Sequence, residues 1–115
     1  MNEIKKITEK IKKFRDERDW MQFHDPKNMA ISIIIESSEL LEHFQWKTKE
    51  EVYLYLKSNK NEIEEEIADV AMYLFELADN LGIDLIKAME KKLEKNAKKY
   101  PVAKAKGSNL KYNRL

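Results

Sequence analysis

The sequence predicts an all-α fold, in which four to five helices form one bundle and a single domain over residues 1–115. Two observations carry this prediction. The chain contains two Gly and two Pro among its 115 residues, so few residues interrupt a helix. Apolar residues recur with the 3.6-residue period of a helix rather than the two-residue period of a strand. At this length the core is small, and we expect a second copy of the chain to complete it.

An apolar stripe and a start signal predict the first two helices. The first helix is expected over residues 2–18, where apolar residues share one stripe: Ile4, Ile7, Ile11 and Phe14. Pro26 suits the first turn of the second helix, and Asp25 before it suits the cap. This helix is expected to reach about residue 44.

The middle of the chain has a second start signal and a polar break. Thr48 and Glu51 have the spacing of a capping box, which predicts a short helix to about residue 57. The polar stretch 58–61 then breaks or bends the path. A long helix is expected over residues 61–80.

The last helix lies between a stop signal and a basic segment. Gly82 ends the preceding helix and Asp84 caps the last one, which is expected to reach about residue 99. Residues 101–115 are predicted to be an extended basic tail. Residues 87–115 carry 10 basic and 2 acidic side chains, whereas residues 1–86 carry 12 basic and 19 acidic ones. Such a segment suits contact with nucleic acid, or with a triphosphate held elsewhere on the chain.

The composition also limits the class of protein. The chain has no Cys, which excludes a disulfide framework, thiolate zinc sites and cysteine nucleophiles. A reducing compartment is the natural setting for such a chain, and we expect a cytoplasmic protein. No apolar run approaches the roughly 20 residues that span a bilayer, and the lysine-rich start lacks the apolar segment of a secretory signal.

Two pairs of acidic residues indicate a metal site. Glu36 and Glu39 lie three positions apart on the second helix, and Glu66 and Asp69 repeat this spacing on the long helix. Residues three apart on a helix project side by side. Apolar residues flank the pairs, so the carboxylates are expected to be partly desolvated and to need a cation. The sequence therefore predicts a Mg²⁺ or Mn²⁺ site between two helices. Other acids of the long helix either belong to this site or are solvated: Glu62, Glu65 and Glu76.

Further segments accompany the acid pairs: Arg18-Asp19-Trp20, Phe23-His24 with Pro26 and Asn28, Phe44-Gln45-Trp46, Tyr73-Leu74, Tyr100-Pro101-Val102 and Lys111-Tyr112. With these segments the chain resembles the MazG-like all-α nucleoside triphosphate pyrophosphohydrolases, whose hallmark is ExxE followed by ExxD. Within that superfamily it is most similar to the dCTP pyrophosphatase branch. The resemblance covers about residues 14–112.

The resemblance implies a role for ten residues. Four fall on the magnesium ligands and catalytic acids of the family: Glu36, Glu39, Glu66 and Asp69. Six fall on substrate-contacting positions, of which the first three wall the base and sugar and the last two lie near the phosphates: Trp20, His24, Trp46, Tyr73, Lys92 and Asn96. Ile11 stands where the animal enzymes have a substrate-contacting His, so the preferred base is less well predicted than the reaction.

The implied reaction is metal-dependent hydrolysis of a nucleoside triphosphate, dCTP or a modified dCTP, to the monophosphate and pyrophosphate. Such an enzyme removes unwanted nucleotides from the pool. Mg²⁺ is the expected cofactor, with Mn²⁺ as an alternative, and one carboxylate is expected to accept the proton of the attacking water. The resemblance also implies a homodimer or homotetramer. Neither a membrane nor a nucleic acid is expected as a partner.

Two other interpretations of the sequence are open. A di-iron carboxylate bundle also places acids on facing helices, but it needs two Glu-x-x-His units. The chain pairs Glu39 with His43 at a spacing of four, and it does so once. A non-enzymatic helical adaptor, or a nucleic-acid-binding module, would use the basic C-terminal segment. This second interpretation leaves the two acid pairs unexplained.

Overall fold

The computed structural model describes residues 2–115, which are helical and contain no strand. Five α-helices follow one another: α1 Glu3–Glu17, α2 Pro26–Glu42, α3 Lys49–Asn80, α4 Leu85–Lys99 and α5 Val102–Ala105. Two 3₁₀ turns accompany them, at Met21–Phe23 and at Tyr112–Arg114. The predicted all-α class is therefore confirmed. Within the described residues, no helix has both the length and the apolar composition that crossing a bilayer would require.

The described residues form two compact units, 2–81 and 82–115. In the first unit, α3 packs against both α1 and α2. The second unit consists of α4, α5 and the last 3₁₀ turn. The assignment of one domain to residues 1–115 stays a prediction.

Side-chain caps begin the helices where the sequence predicts them. Asp25 accepts a hydrogen bond from the backbone N–H three residues later, at 3.0 Å, and Asp84 accepts an equivalent one at 3.1 Å. Thr48 and Glu51 form the capping box, with hydrogen bonds of 3.0 and 3.2 Å. These caps satisfy backbone groups that a helix start leaves unpaired. They fix where α2, α3 and α4 begin.

The predicted break at residues 58–61 is a bend within one 32-residue helix, α3. The backbone of Asn59 leaves the helical region, with φ −123° and ψ 21°. Its side-chain amide donates to the backbone oxygen of Tyr55 at 3.0 Å. The side chain thus keeps a carbonyl paired where the backbone leaves helical geometry, and the helix bends instead of ending.

The segment predicted to be an extended tail is partly helical instead. The carbonyl of Pro101 accepts hydrogen bonds from Lys104 and Ala105, both at 2.9 Å, and thereby starts α5. Further on, Tyr112 packs edge-on against Tyr100 with ring centroids 6.1 Å apart. These local contacts fold the segment, although its composition is basic and polar.

Few apolar side chains of the described residues are buried. The buried ones are Met29, Ile63 and Ala78. On α1 the buried residues are polar, Thr8 and Arg15, whereas Phe14 of the predicted apolar stripe is 52% exposed. The stripe of α1 is therefore not a core of this single chain.

Helix α2 turns its acidic strip inward and its isoleucines outward. The polar strip is half-buried: Ser32, Glu36, Glu39 and His43. Large apolar residues are exposed on the same helix: Ile31, Ile34, Ile35 and Leu41. Because exposed apolar patches of this kind are rare on monomeric proteins, this face of α2 is a candidate surface for contact with another chain.

Candidate metal centre

Three carboxylates converge where α2 packs against α3. Glu36 and Glu39 lie one helical turn apart on α2, and Glu66 approaches them from α3. One carboxylate oxygen of each lies within 4.8 Å of the others, and all three side chains are half-buried. The spacing on α2 explains the first two, because residues three apart share a face. The packing of the two helices brings in the third.

The environment disfavours the charged form of two of these acids. Burial raises the pKa of Glu36, and the neighbouring charges of Glu39, Asp69 and Glu66 raise it further. Burial likewise raises the pKa of Glu66, with added repulsion from Glu39 and Asp69 and a smaller opposing effect of His43. Like charges in a partly desolvated place repel each other, and a bound cation offsets this repulsion.

The unpaired oxygens of the site fit a hard cation. The Oε2 atoms of Glu36 and Glu66 are buried, and neither has a hydrogen-bond partner within residues 2–115. A buried acceptor without a partner is unfavourable. Mg²⁺ and Mn²⁺ bind carboxylate oxygens and would satisfy both atoms. The residues present therefore fit a divalent ion of this class.

Asp69 lies at the border of this cluster. It follows Glu66 by one helical turn on α3 and is half-buried. Its charge contributes to the raised pKa of both Glu36 and Glu66. It is not one of the three acids whose oxygens lie within 4.8 Å of each other. Its role as a ligand stays a prediction.

An open cleft of about 320 Å³ adjoins the carboxylates and contains residues that the sequence did not single out. Its lining includes Glu39, Glu42, His43, Lys47, Tyr55 and Glu66. Nδ1 of His43 lies 2.5 Å from the hydroxyl of Tyr55, and its Nε2 lies 3.9 Å from Oε1 of Glu66. Nζ of Lys47 lies 4.3 Å from the centre of the Tyr55 ring. His43 follows Glu39 by one helical turn, so the sequence spacing indicates that the two side chains lie on the same side of the helix. Tyr55 lies on a helix that the sequence predicts to be separate, and its spacing does not indicate a place in this cleft.

Tyr73 lies one turn after Asp69 on α3 and has His24 as a neighbour. Burial raises the pKa of the Tyr73 hydroxyl, and so do the charges of Glu36 and Asp69. The rings of Tyr73 and His24 meet edge-on with centroids 6.4 Å apart. Two of the predicted substrate-contacting residues are thus neighbours, and the carboxylate charges raise the pKa of one of them, Tyr73.

The two tryptophans are open to solvent in the single chain. Trp20 is 42% exposed and packs edge-on against Phe14, with ring centroids 5.7 Å apart. Trp46 follows α2 and is 86% exposed. Both rings offer free surface for stacking. Neither is enclosed by residues 2–81, so their predicted contact with a base stays a prediction.

Lys92 and Asn96 belong to the second compact unit, on α4. They are four residues apart and therefore share a helix face. Lys92 is exposed and Asn96 is half-buried. Their predicted contact with phosphates stays a prediction.

Comparison with known proteins identifies the family of the chain. Residues 31–115 match the model of the MazG-like family. The proteins named dCTP pyrophosphatase 1 from Rattus norvegicus and Homo sapiens are each 38% identical to the chain over 104 residues, which cover 89% of this chain and 61% of theirs. The chain thus spans about three fifths of the length of these relatives. A crystal structure of a pyrophosphatase from Archaeoglobus fulgidus is 45% identical, with a TM-score of 0.83, over 88% of this chain and 94% of that one. The chain therefore belongs to the MazG-like family.

Proposed function

We propose that the chain is a Mg²⁺-dependent nucleoside triphosphate pyrophosphohydrolase that acts on dCTP or a modified dCTP. The products are the nucleoside monophosphate and pyrophosphate. The convergence of Glu36, Glu39 and Glu66, with two buried oxygens lacking partners, carries the proposal. The names of the relatives support the reaction class and the nucleotide. The cytoplasmic location expected from the sequence stays a prediction.

The acids of α2 and α3 hold the ion in this proposal. Glu36, Glu39 and Glu66 are the ligands, and Asp69 completes the set from the next turn. A bound divalent ion supplies positive charge to the phosphate oxygens and lowers the pKa of water. Four carboxylates provide more oxygens than one ion needs from protein. A carboxylate that is not fully engaged accepts the proton of the attacking water.

Aromatic and polar residues bind the nucleotide in this proposal. The rings of Trp20 and Trp46 stack on the base, and stacking of this kind contributes roughly 1–3 kcal/mol per base. His24 and Tyr73 contact the sugar side of the substrate. Lys92 and Asn96 contact the phosphates, where a lysine offsets the charge of the leaving pyrophosphate.

The chain acts as a homodimer or homotetramer in this proposal. The exposed apolar face of α2 supports it, since Ile34 is 70% exposed and its neighbours are also uncovered. The scarcity of buried apolar side chains among residues 2–115 has the same implication. A second copy of the chain is the occupant, because apolar surface on both copies can be covered at once by twofold pairing.

A product assay tests the proposal. Purified protein is incubated with each canonical deoxynucleoside triphosphate, with dUTP and with 5-methyl-dCTP, in Mg²⁺, in Mn²⁺ and in EDTA. Anion-exchange separation of the products is expected to show monophosphate and pyrophosphate when Mg²⁺ or Mn²⁺ is present. Turnover is expected to be fastest for the cytosine nucleotides. Release of orthophosphate alone, or equal turnover in EDTA, would contradict the reaction.

A variant of a proposed ligand and a matched control test whether the activity depends on the carboxylates. Glu39→Gln is expected to lose turnover by about 100-fold or more while its helical circular dichroism is unchanged, since the substitution removes a ligand charge and keeps the side-chain shape. Glu62→Gln is the matched control, because Glu62 is exposed on α3. It is expected to retain turnover.

A further inference from the structure

Glu76 is a buried acid at the centre of a hydrogen-bond network within residues 2–81. It is 2% exposed. Both of its carboxylate oxygens lie close to Nδ1 of His24, at 2.8 and 3.0 Å. The side-chain amide of Asn80 donates to it at 3.1 Å, and a guanidinium nitrogen of Arg15 lies 3.5 Å away. The network thus joins α1, α3 and the segment before α2.

The contact with Glu76 fixes which nitrogen of His24 carries a proton. An ionised carboxylate has acceptors and no donor. Nδ1 of His24 must therefore donate to Glu76. The side-chain hydrogen bonds of His24 within the described residues all run through Nδ1, and the side chain is 17% exposed. In the neutral imidazole, Nε2 is then an acceptor that is free to meet a ligand.

The position of His24 relates this acceptor to the nucleotide. Its ring neighbours Tyr73, and the charges of Glu36 and Asp69 act on the Tyr73 hydroxyl. Tyr73 also follows Asp69 by one turn of α3, so the two side chains share a helix face. A substrate whose phosphates lie at the carboxylates can extend its nucleoside toward this ring.

We propose that Glu76 is a positioning residue, which holds His24 in the Nδ1–H tautomer so that Nε2 accepts a hydrogen bond from the nucleoside. The inference rests on the proposed function for the identity of the ligand. Its first part, the fixed tautomer, is independent of catalysis. The donor is an O–H of the sugar or the amino group of the base, since an acceptor nitrogen repels phosphate oxygens.

Arg15 determines how the inference is tested. Its side chain is 8% exposed and also contacts Asp16 and Asn80. Removal of Glu76 alone takes one of the two carboxylates away from the buried Arg15 charge and leaves Asp16 as its acidic neighbour, and breaking a buried ion pair from one side destabilises a fold. Replacement of a buried charged pair by apolar residues of similar volume is better tolerated. The double variant Arg15→Met with Glu76→Leu therefore removes the partner of His24 and keeps the packing.

The experiment measures the tautomer of His24 and the affinity for nucleotide. Nitrogen-15 NMR of the imidazole is expected to show the Nδ1–H form in the wild type and a mixture of both forms in the double variant. The KM for dCTP and the Kd for dCMP are expected to rise about tenfold or more, with a smaller change in kcat. The single variant Glu76→Gln keeps an acceptor oxygen for Nδ1–H. It is therefore expected to keep the Nδ1–H form and most of the wild-type affinity.

A second ion pair between the same two helices serves as the control. Nζ of Lys12 on α1 lies 3.2 Å from Oδ2 of Asp79 on α3. Lys12→Gln with Asp79→Asn removes this pair and leaves Glu76 in place. The tautomer of His24 and the KM are expected to match the wild type.

Substrate analogues locate the donor. If the donor is the sugar hydroxyl, the penalty of the double variant shrinks for 2′,3′-dideoxy-CTP. If it is the base amine, the penalty shrinks for dUTP. An equal penalty for all three nucleotides would overturn the acceptor role of Nε2.

Two results would overturn the positioning role itself. One is an unchanged Nδ1–H signal in a folded double variant. The other is a changed tautomer with wild-type KM and Kd. Absence of turnover in the wild type would refute the proposed function, but the NMR measurement and the Kd for dCMP would still decide the role of Glu76.

Discussion

Glu36 on α2 and Glu66 on α3 approach each other within 4.8 Å, and each keeps its Oε2 atom buried without a hydrogen-bond partner in residues 2–115. Such an arrangement is unfavourable for the metal-free chain. Binding of a cation therefore stabilises the site by reducing the repulsion between the two carboxylates.

Glu36→Gln is expected to stabilise the metal-free protein. The amide keeps the shape of the side chain and removes one of the repelling charges, as often happens when a functional residue is neutralised. A gain of about 0.5–2 kcal/mol in the free energy of unfolding is the expected size. Urea unfolding in EDTA measures it. Glu62→Gln on the exposed side of α3 is expected to change stability little, and a loss of stability in Glu36→Gln would contradict the repulsion.

The stability of the metal-free protein is expected to fall as the pH rises above about 4.5. The pKa values of Glu36 and Glu66 are raised above the ordinary value of 4.5 in the folded chain. The folded state thus binds more protons than the unfolded state in this window, and stability is lost as these groups ionise. Thermal unfolding in EDTA between pH 4.5 and 7.5 measures the loss. A double variant Glu36→Gln with Glu66→Gln is expected to reduce the slope.

Addition of Mg²⁺ at pH 7.5 is expected to restore that stability. An ion that binds only the folded state adds about 2.7 kcal/mol at a concentration 100 times its Kd. The unfolding temperature should therefore rise with Mg²⁺ in the wild type and not in Glu39→Gln. Equal shifts in both proteins would assign the ion to another place.

Trp46→Ala is expected to weaken binding of dCTP without a change in stability. The ring is 86% exposed, so its removal leaves no cavity. Loss of one stacking contact of roughly 1–3 kcal/mol corresponds to a rise in KM of about 5- to 150-fold. Tyr53→Ala is the matched control, because Tyr53 is another exposed aromatic residue. A wild-type KM in Trp46→Ala would exclude this ring from the base site.

Ile34→Glu is expected to dissociate the proposed assembly. The substitution places a charge on the exposed apolar face of α2, where a second copy would have to bury it. Light scattering at micromolar concentration is expected to show a lower mass than for the wild type. Lys27→Glu, at an exposed position near the start of the same helix, is expected to keep the wild-type mass. A monomeric wild-type chain would refute the assembly.

Local signals made most of the fold predictable. The caps at Asp25, Thr48 and Asp84 act through a few neighbouring residues, so their spacing in the sequence suffices. The bend at Asn59 was predicted as a break or bend, but the hydrogen bond that keeps α3 continuous depends on one rotamer. The partial helix in 101–115 begins with hydrogen bonds to the carbonyl of Pro101 and is followed by a contact between Tyr100 and Tyr112, which a basic composition does not reveal.

The candidate site was predictable along each helix and not between helices. Spacing placed Glu36 beside Glu39, and only the packing of α2 on α3 brings Glu66 to them. The same packing selects His43 and Tyr55 for the cleft. Glu76 shows most clearly what the sequence pattern does not reveal. The spacing of acids along a helix is the same whether an acid is buried or solvated. Its partner Arg15 is 61 positions away in the chain.

The bend of α3 has a mechanical consequence. Tyr55 precedes Asn59 and Glu66 follows it, and both line the cleft beside the carboxylates. Straightening or tightening the helix at this point shifts the two walls of the opening relative to each other. The amide of Asn59, which bonds to the carbonyl of Tyr55, lies at the point of α3 where such a change would take place.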